Sequence, residues 1–419
     1  MWDSPPQISA IFRSPVKIKL LIDCHTILAL PALSPPFQPG ICPHNIMRLS
    51  VALTHKAESP IVNVRKRKSL SIIRLLFGEL KMKYKLLGNS GLRISELCLG
   101  AMTFGEEWGW GASKQESKKM YDTFIDQGGN FIDTANNYTE GTSEKYVGEF
   151  IASEREKIVL ATKYTLTSNP SDINASGNHR KNMQHSVEAS LKRLNTEYID
   201  LYWLHAWDFL TPAEEVMRAL DDLVRSGKIF YIGISDTPAW IVSKANTLAE
   251  LRGWTQFVGL QIEYSLVERT VERELIPMSE YYNMSVLAWS PLARGILSGK
   301  FKKNKTSNKD TRLKGDSPLL TERNLNIANK VIQVANETGY KPAQVALKWL
   351  LKKNDSVIPI VGARNASQLV ENLSCINCEF TKEQMKSLDE VSNIELGFPH
   401  NFLSKDHIRD LIYGKHKIT

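Results

Sequence analysis

Cysteine is scarce in this 419-residue chain. The five present (Cys24, Cys42, Cys98, Cys375 and Cys378) are odd in number and irregularly spaced, which argues against a disulfide framework and for a reducing compartment. Cys375 and Cys378 have the spacing of half a zinc or redox site, but no second pair supplies the other ligands, so no metal centre is expected. Long apolar runs are missing as well. No stretch reaches the roughly 18 uninterrupted apolar residues of a spanning helix, so no membrane segment is expected. No GxGxxG follows the first strand-like segment, which argues against an open-sheet dinucleotide domain. No short internal repeat is visible.

The charge imbalance is local. The chain carries a net charge of +8, yet residues 1–83 hold twelve Lys/Arg against four Asp/Glu, and the remaining 336 residues hold 41 of each. The basic excess therefore gives no reason to expect nucleic-acid binding by the rest of the chain. Residues 1–82 also hold nine of the eighteen prolines, the basic cluster Arg65–Lys68, and no helical or alternating period, the composition of a low-order extension. Arg13, Lys17 and Lys19 ahead of Leu20–Leu33 faintly imitate a signal peptide, but Asp23 and His25 interrupt the apolar stretch. Organelle targeting and a nuclear address stay open. The preferred reading is a spurious extension ahead of Met82 and a cytoplasmic protein. With 42% apolar and 23% charged residues, the composition is that of a soluble globular protein.

From residue 83 the pattern changes. Tyr84–Leu87 and Leu92–Ser95 flank Gly88-Asn89-Ser90-Gly91, which predicts a β-hairpin. Strand-like segments follow near 97–101, 130–133, 158–163, 198–204, 229–234, 257–263, 285–289 and 357–361. Segments with helical spacing lie between them, such as Met120, Phe124 and Ile125, or Val216, Leu220 and Leu223. Eight strands, seven intervening helices and one helix after the last predict an α/β fold, a (β/α)8 TIM barrel over residues 83–419.

Four residues then stand out. Asp133, Lys163 and His205 end the second, third and fourth strands, and Tyr138 lies in the loop after the second. In such a barrel these positions converge on the catalytic mouth. A buried lysine needs a partner, and Asp133 can provide it. The ammonium can in turn lower the Tyr138 phenol from about 10, so that it protonates a carbonyl oxygen while His205 orients that oxygen. The hydride must come from a cofactor. Taken singly, each residue has a plainer role: a helix cap for Asp133, packing for Tyr138, a core imidazole beside Trp203 and Trp207 for His205, and an aldolase Schiff base for Lys163. Together they favour carbonyl reduction.

The segment Phe131-Ile132-Asp133-Thr134-Ala135, with Tyr138, Gly141-Thr142-Ser143-Glu144 and Gly148, resembles the aldo-keto reductase family. Gly233-Ile234-Ser235-Asp236, Gln261-Ile262-Glu263-Tyr264-Ser265, Trp289-Ser290-Pro291-Leu292 and Gly362-Ala363-Arg364 match in the same order. The similarity runs from Tyr84 to about residue 395. It implies NADPH-linked reduction of aldehydes or ketones, with Asp133, Tyr138, Lys163 and His205 as the catalytic tetrad.

The same resemblance implies a cofactor site. Ser235, Asp236 and Gln261, with Asp133 and Met102, would lie about the nicotinamide, and Trp289 would form a shelf for the ring. Ser290, Pro291, Leu292 and Arg294 follow that shelf, and Lys300 and Arg312 would clamp the pyrophosphate. Gly362 and Arg364 precede a helix expected to open near Ser367, where the Arg364 fork suits a 2′-phosphate. Gln368, Glu371 and Asn372 share one face of that helix and suit the adenosine. Lys302, Lys303 and Lys305 read as solvated loop charge.

Asp236 replaces the asparagine of many relatives. Arg364 stands where others have lysine or serine, which keeps the charge for NADPH without excluding NADH. Trp108 and Trp110, in the loop after the first strand, favour an aromatic or apolar carbonyl substrate. The run Ser290–Lys300 also resembles potassium-channel β subunits, cofactor-binding relatives that sit on a membrane protein. Those tend to lack the histidine, and His205 favours turnover. The oligomeric state is not readable.

Overall fold

The computed structural model describes residues 82–301, 317–414 and 416. The readings made for residues 1–81 and for Lys302, Lys303, Lys305 and Arg312 lie outside the described residues. The chain starts with the hairpin: β1 (Tyr84–Leu86) pairs antiparallel with β2 (Arg93–Ser95). Gly88 in its turn has φ +51°, and an added Cβ would lie 2.1 Å from the Val258 carbonyl oxygen, so only glycine fits. Leu87 and Ile94 are fully buried and pack against Cys98, Phe131, Val159 and Leu287. The hairpin is a plug in the floor of the barrel.

Strand and helix then alternate in the order β3 (Cys98–Gly100), α1 (Lys114–Asp126), β4 (Phe131–Asp133), α2 (Thr142–Ile151), β5 (Val159–Tyr164), α3 (Arg180–Leu194), β6 (Ile199–Leu204) and α4 (Ala213–Arg225). They continue as β7 (Ile229–Ser235), α5 (Ala239–Arg252), β8 (Phe257–Glu263), α6 (Leu275–Tyr281) and β9 (Ser285–Trp289). Two helices, α7 (Glu322–Thr338) and α8 (Pro342–Lys353), precede β10 (Val357–Val361). Then come α9 (Ala366–Leu373), α10 (Lys382–Val391), α11 (His400–Leu403) and α12 (Asp406–Tyr413). β3 to β10 are parallel and close into a (β/α)8 TIM barrel, β10 pairing with β3. The single helix expected between β9 and β10 is two. Gly339 ends α7 at φ +75° and Pro342 starts α8 at its first position, so the chain breaks where a left-handed cap and a proline coincide.

Four of the helices start on side-chain caps in which Ser113, Thr321, Asn365 and Thr381 each accept the main-chain N–H three residues on. Their apolar faces meet the outward strand residues Leu160, Tyr202, Leu204, Ile234 and Leu260. The inward residues form a second core around Trp203. Gly233 and Gly259 make room for that indole: an added Cβ would stand 2.2 Å from its ring at Gly233 and 2.9 Å at Gly259.

Because side chains alternate along a strand, the inward register continues upward into the mouth. Phe131 is followed by Asp133, Ala161 by Lys163, Trp203 by His205, Gly233 by Ser235, Gly259 by Gln261 and Leu287 by Trp289. The candidate site is the top layer of the barrel core.

Backbone strain marks the same rim. Of the ten non-glycine residues with positive φ among the described residues, eight (Thr139, Glu140, Thr165, Phe209, Asp236, Ser290, Ala293 and Arg294) lie in loops that follow strands. The other two, Asn195 and Asn283, lie on the opposite rim and are of the type that tolerates this conformation. Cys98, Cys375 and Cys378 are buried free thiols whose pKa burial pushes up, so they are poor nucleophiles. No helix among the described residues is long and apolar enough to cross a membrane. No group of three or more His, Cys, Asp or Glu among them could hold a metal ion.

Candidate active site

Lys163 is fully buried, and its ammonium spends each of its three donors on a separate partner. It lies 2.5 Å from Asp133 Oδ2, 2.7 Å from the Thr134 carbonyl oxygen and 3.0 Å from the Tyr138 hydroxyl. Burial works to lower its pKa, but Asp133 and Tyr138 together outweigh burial, and the group is held above the ordinary lysine value. It stays charged. A Schiff-base lysine must be neutral to attack, so this environment counts against the aldolase alternative. The Thr134 carbonyl leaves no trace in the sequence pattern, because main-chain atoms carry no residue signature.

Tyr138 departs from expectation. Burial pushes the phenol above its ordinary value, Lys163 pulls it down, and the Asp133 carboxylate pushes it up again. The net direction is upward and not downward, because burial outweighs the pull of the ammonium and the Asp133 carboxylate adds to burial. The phenol is thus kept protonated at neutral pH.

His205 comes from the loop just after β6, its ring centroid 6.0 Å from that of Tyr138 and nearly perpendicular to it. Its main-chain N–H reaches the Tyr164 carbonyl at 3.2 Å and Thr165 Oγ1 at 3.3 Å. Burial and the Lys163 charge hold the imidazole pKa well below 6.5, and Nδ1 has no partner within the protein. The ring is neutral, as an orienting role needs.

Gln261 makes a bond that the sequence does not announce. Its Nε2 donates to Asp133 Oδ1 at 3.0 Å, across the barrel. Asp236 is exposed at φ +41°, and its Oδ1 accepts the Trp289 indole N–H at 3.0 Å. The carboxylate and the aromatic shelf are thereby one unit. Trp108 stands edge-on to Tyr138 with centroids 6.3 Å apart, and Trp110 lies 5.5 Å from Trp108. Trp108 thus lies beside the phenol, with Trp110 packed against it.

At the end of β10 the helix opens at Ala366, one residue before the expected Ser367, because Asn365 caps the Gln368 N–H at 2.8 Å. The first amides of α9 are largely engaged. Ala366 N–H donates to Glu116 Oε1 at 2.9 Å, and Arg364 N–H to Gln368 Oε1 at 3.0 Å. Asn372 is buried and reaches the Gly362 carbonyl at 3.5 Å, while Glu371 is half-buried. A phosphate here would therefore rest on side chains such as Arg364, which is exposed, more than on helix amides. Thr103 Oγ1 bonds the Ala363 carbonyl at 2.9 Å and ties this loop to the one carrying Met102. Ser290 Oγ accepts the Arg294 N–H at 3.2 Å in the strained turn that contains Pro291 and Leu292, and Lys300 is exposed beyond it.

The donor set suits a nicotinamide cofactor on one observation in particular. Ser235 Oγ is buried at 1% exposure with no hydrogen bond of good geometry beyond its approach to the Asp236 carboxylate, next to a Gln261 amide whose oxygen is left as an acceptor. A carboxamide group can satisfy both.

An acid, an ammonium, a phenol and a neutral imidazole at the C-terminal mouth of a TIM barrel define a barrel enzyme equipped for proton transfer. The chain belongs to the aldo/keto reductase family, whose model matches residues 96–393. It is an oxidoreductase. Norsolorinic acid reductase of Aspergillus flavus is 39% identical over 328 residues, covering 76% of this chain and 83% of that protein. The aryl-alcohol dehydrogenase [NADP(+)] of Phanerodontia chrysosporium is 37% identical over 329 residues, covering 74% and 86%. A putative aryl-alcohol dehydrogenase of Saccharomyces cerevisiae is 33% identical over 331 residues, covering 76% and 88%.

Proposed function

We propose that this protein is an NADPH-dependent reductase of aromatic aldehydes or ketones, with Tyr138 as the acid. The observation that carries the reading is the Lys163 ammonium, bonded at once to Asp133 and to the Tyr138 hydroxyl. When bound, NADPH supplies the hydride to the carbonyl carbon. The Tyr138 hydroxyl donates a hydrogen bond to the substrate oxygen and then its proton as charge grows there. Lys163 steadies the phenolate left behind, and Asp133 compensates the ammonium in the ground state. Neutral His205 holds the same oxygen from the side. Ser235 and Gln261 would receive the carboxamide, with Asp236, Trp289, Met102 and Leu292 around the ring. Arg364, Gln368, Glu371 and Asn372 would take the adenosine end.

Two features support an aryl substrate: the Trp108–Trp110 wall beside Tyr138, and the names of the relatives above. Those names also favour turnover over the channel-subunit reading of Ser290–Lys300. A panel of benzaldehydes, aryl ketones, quinones and aliphatic aldehydes, assayed with NADPH and NADH, tests the reading. Aryl carbonyls with NADPH are expected to give the largest kcat/KM. Equal rates with aliphatic aldehydes would remove the aromatic wall from the account, and no oxidation of NADPH by any of them would end it.

A further inference from the structure

We infer that Gln261 is a positioning residue of the proton-transfer step, a strut that holds Asp133 from across the barrel; this rests on the reductase reading above. β4 and β8 face one another in the eight-strand ring, four strands apart in either direction. The bond from Gln261 Nε2 to Asp133 Oδ1 therefore crosses the lumen, between side chains each 2% exposed.

The consequence follows from the carboxylate. Its two oxygens have separate partners, Lys163 on Oδ2 and Gln261 on Oδ1. A carboxylate only accepts, so the Gln261 amide is fixed with its NH2 toward Asp133. Without that donor, Oδ1 becomes a buried acceptor with nothing to accept. The carboxyl torsion of an aspartate is also soft, so the plane of Asp133 would be set by Lys163 alone. Slack in Asp133 passes to Lys163 and from there to the 3.0 Å contact with Tyr138. Because the amide oxygen stays available to the carboxamide, cofactor docking and alignment of the acid share one side chain.

The competing account is that Gln261 serves the cofactor only. Stopped-flow single turnover of bound NADPH by benzaldehyde at saturating cofactor, on wild type, Gln261→Met, Asp133→Asn and the double variant, separates the two. Gln261→Met is expected to lower the rate roughly tenfold to a hundredfold, the effect of a misplaced reacting group. In the Asp133→Asn background it should lower it by less than about twofold, the scatter of independent effects. A wild-type rate in Gln261→Met, or losses that multiply in the double variant, would overturn the inference. An activity-free measurement accompanies it: the spectroscopic titration of Tyr138 without cofactor, taken as the difference between each protein and its Tyr138→Phe counterpart. Movement of that titration in Gln261→Met supports the strut even if wild type oxidises no NADPH, which would sink only the reductase reading. An unmoved titration overturns the strut.

Discussion

At the scale of single residues, Tyr138 and His205 give the sharpest expectations. Tyr138→Phe should lower kcat for reduction by about 10²–10⁴, the span of one general acid, while cofactor binding, followed by quenching of tryptophan fluorescence, stays at the wild-type level. Because burial holds the phenol above its ordinary pKa, reduction should be flat through neutral pH and fall only above about 10. Alcohol oxidation, which needs the phenolate, should rise over the same range. An ascending limb for oxidation centred near pH 7 would contradict this. For His205 the folded pKa lies well below 6.5, so the unfolded chain binds the extra proton as the solution is acidified. The neutral ring's contribution to stability is present above pH 6.5 and lost as pH falls toward the folded value. Urea midpoints of His205→Gln should therefore drop less between pH 7 and pH 5 than those of wild type. Asp133, Lys163 and His205 were legible because each ends an apolar run, and Tyr138 because it lies in the loop that follows one. The direction of the Tyr138 shift was not, since it depends on how deeply the closed barrel buries the phenol. The Gln261–Asp133 bond was hidden because it joins residues 128 apart through ring closure.

At the scale of elements, the interior of β6, β7 and β8 is organised by one indole. Gly233→Ala would place a methyl 2.2 Å from the Trp203 ring, and overpacking of that kind costs about 1–3 kcal/mol. Trp203→Phe in the same chain should recover part of the loss, measured by urea unfolding. A Gly233→Ala cost unchanged by Trp203→Phe would show that the clash lies elsewhere. The strands were readable as apolar runs, but not which of their faces turns inward: both are buried, so polarity does not alternate. The break between α7 and α8 is written in the sequence as Gly339 and Pro342, but apolar residues at helical spacing continue on both sides of it and mask it. The engagement of the Ala366 amide by Glu116 has no sequence trace at all, because the two are 250 residues apart.

At the scale of the whole molecule, the barrel separates what holds it from what acts. Leu87 and Ile94 close the floor, at the end opposite the tetrad. Ile94→Ala should cost about 2–5 kcal/mol and lower Tm, while kcat at a temperature where the variant is folded stays that of wild type. A matching fall in kcat would mean that the plug sets the geometry of the mouth. The eight-fold alternation makes the barrel legible in the sequence; the use of the hairpin as a plug depends on the closed ring, which no local pattern records.

The uneven distribution of left-handed residues has a consequence for heat. Each such non-glycine residue raises the native energy by about 1–2 kcal/mol, and eight of the ten among the described residues belong to one rim. Thr165, at φ +99° and holding the His205 amide through its hydroxyl, is one of them. Exchanging them for residues at ease in that conformation would harden the protein to temperature while loosening what aligns its reacting groups. The opposite rim, already furnished with Asn195 and Asn283, has no such reserve to release. Selection for a more heat-resistant enzyme would therefore find its gains mainly on the catalytic side, each one drawn from turnover.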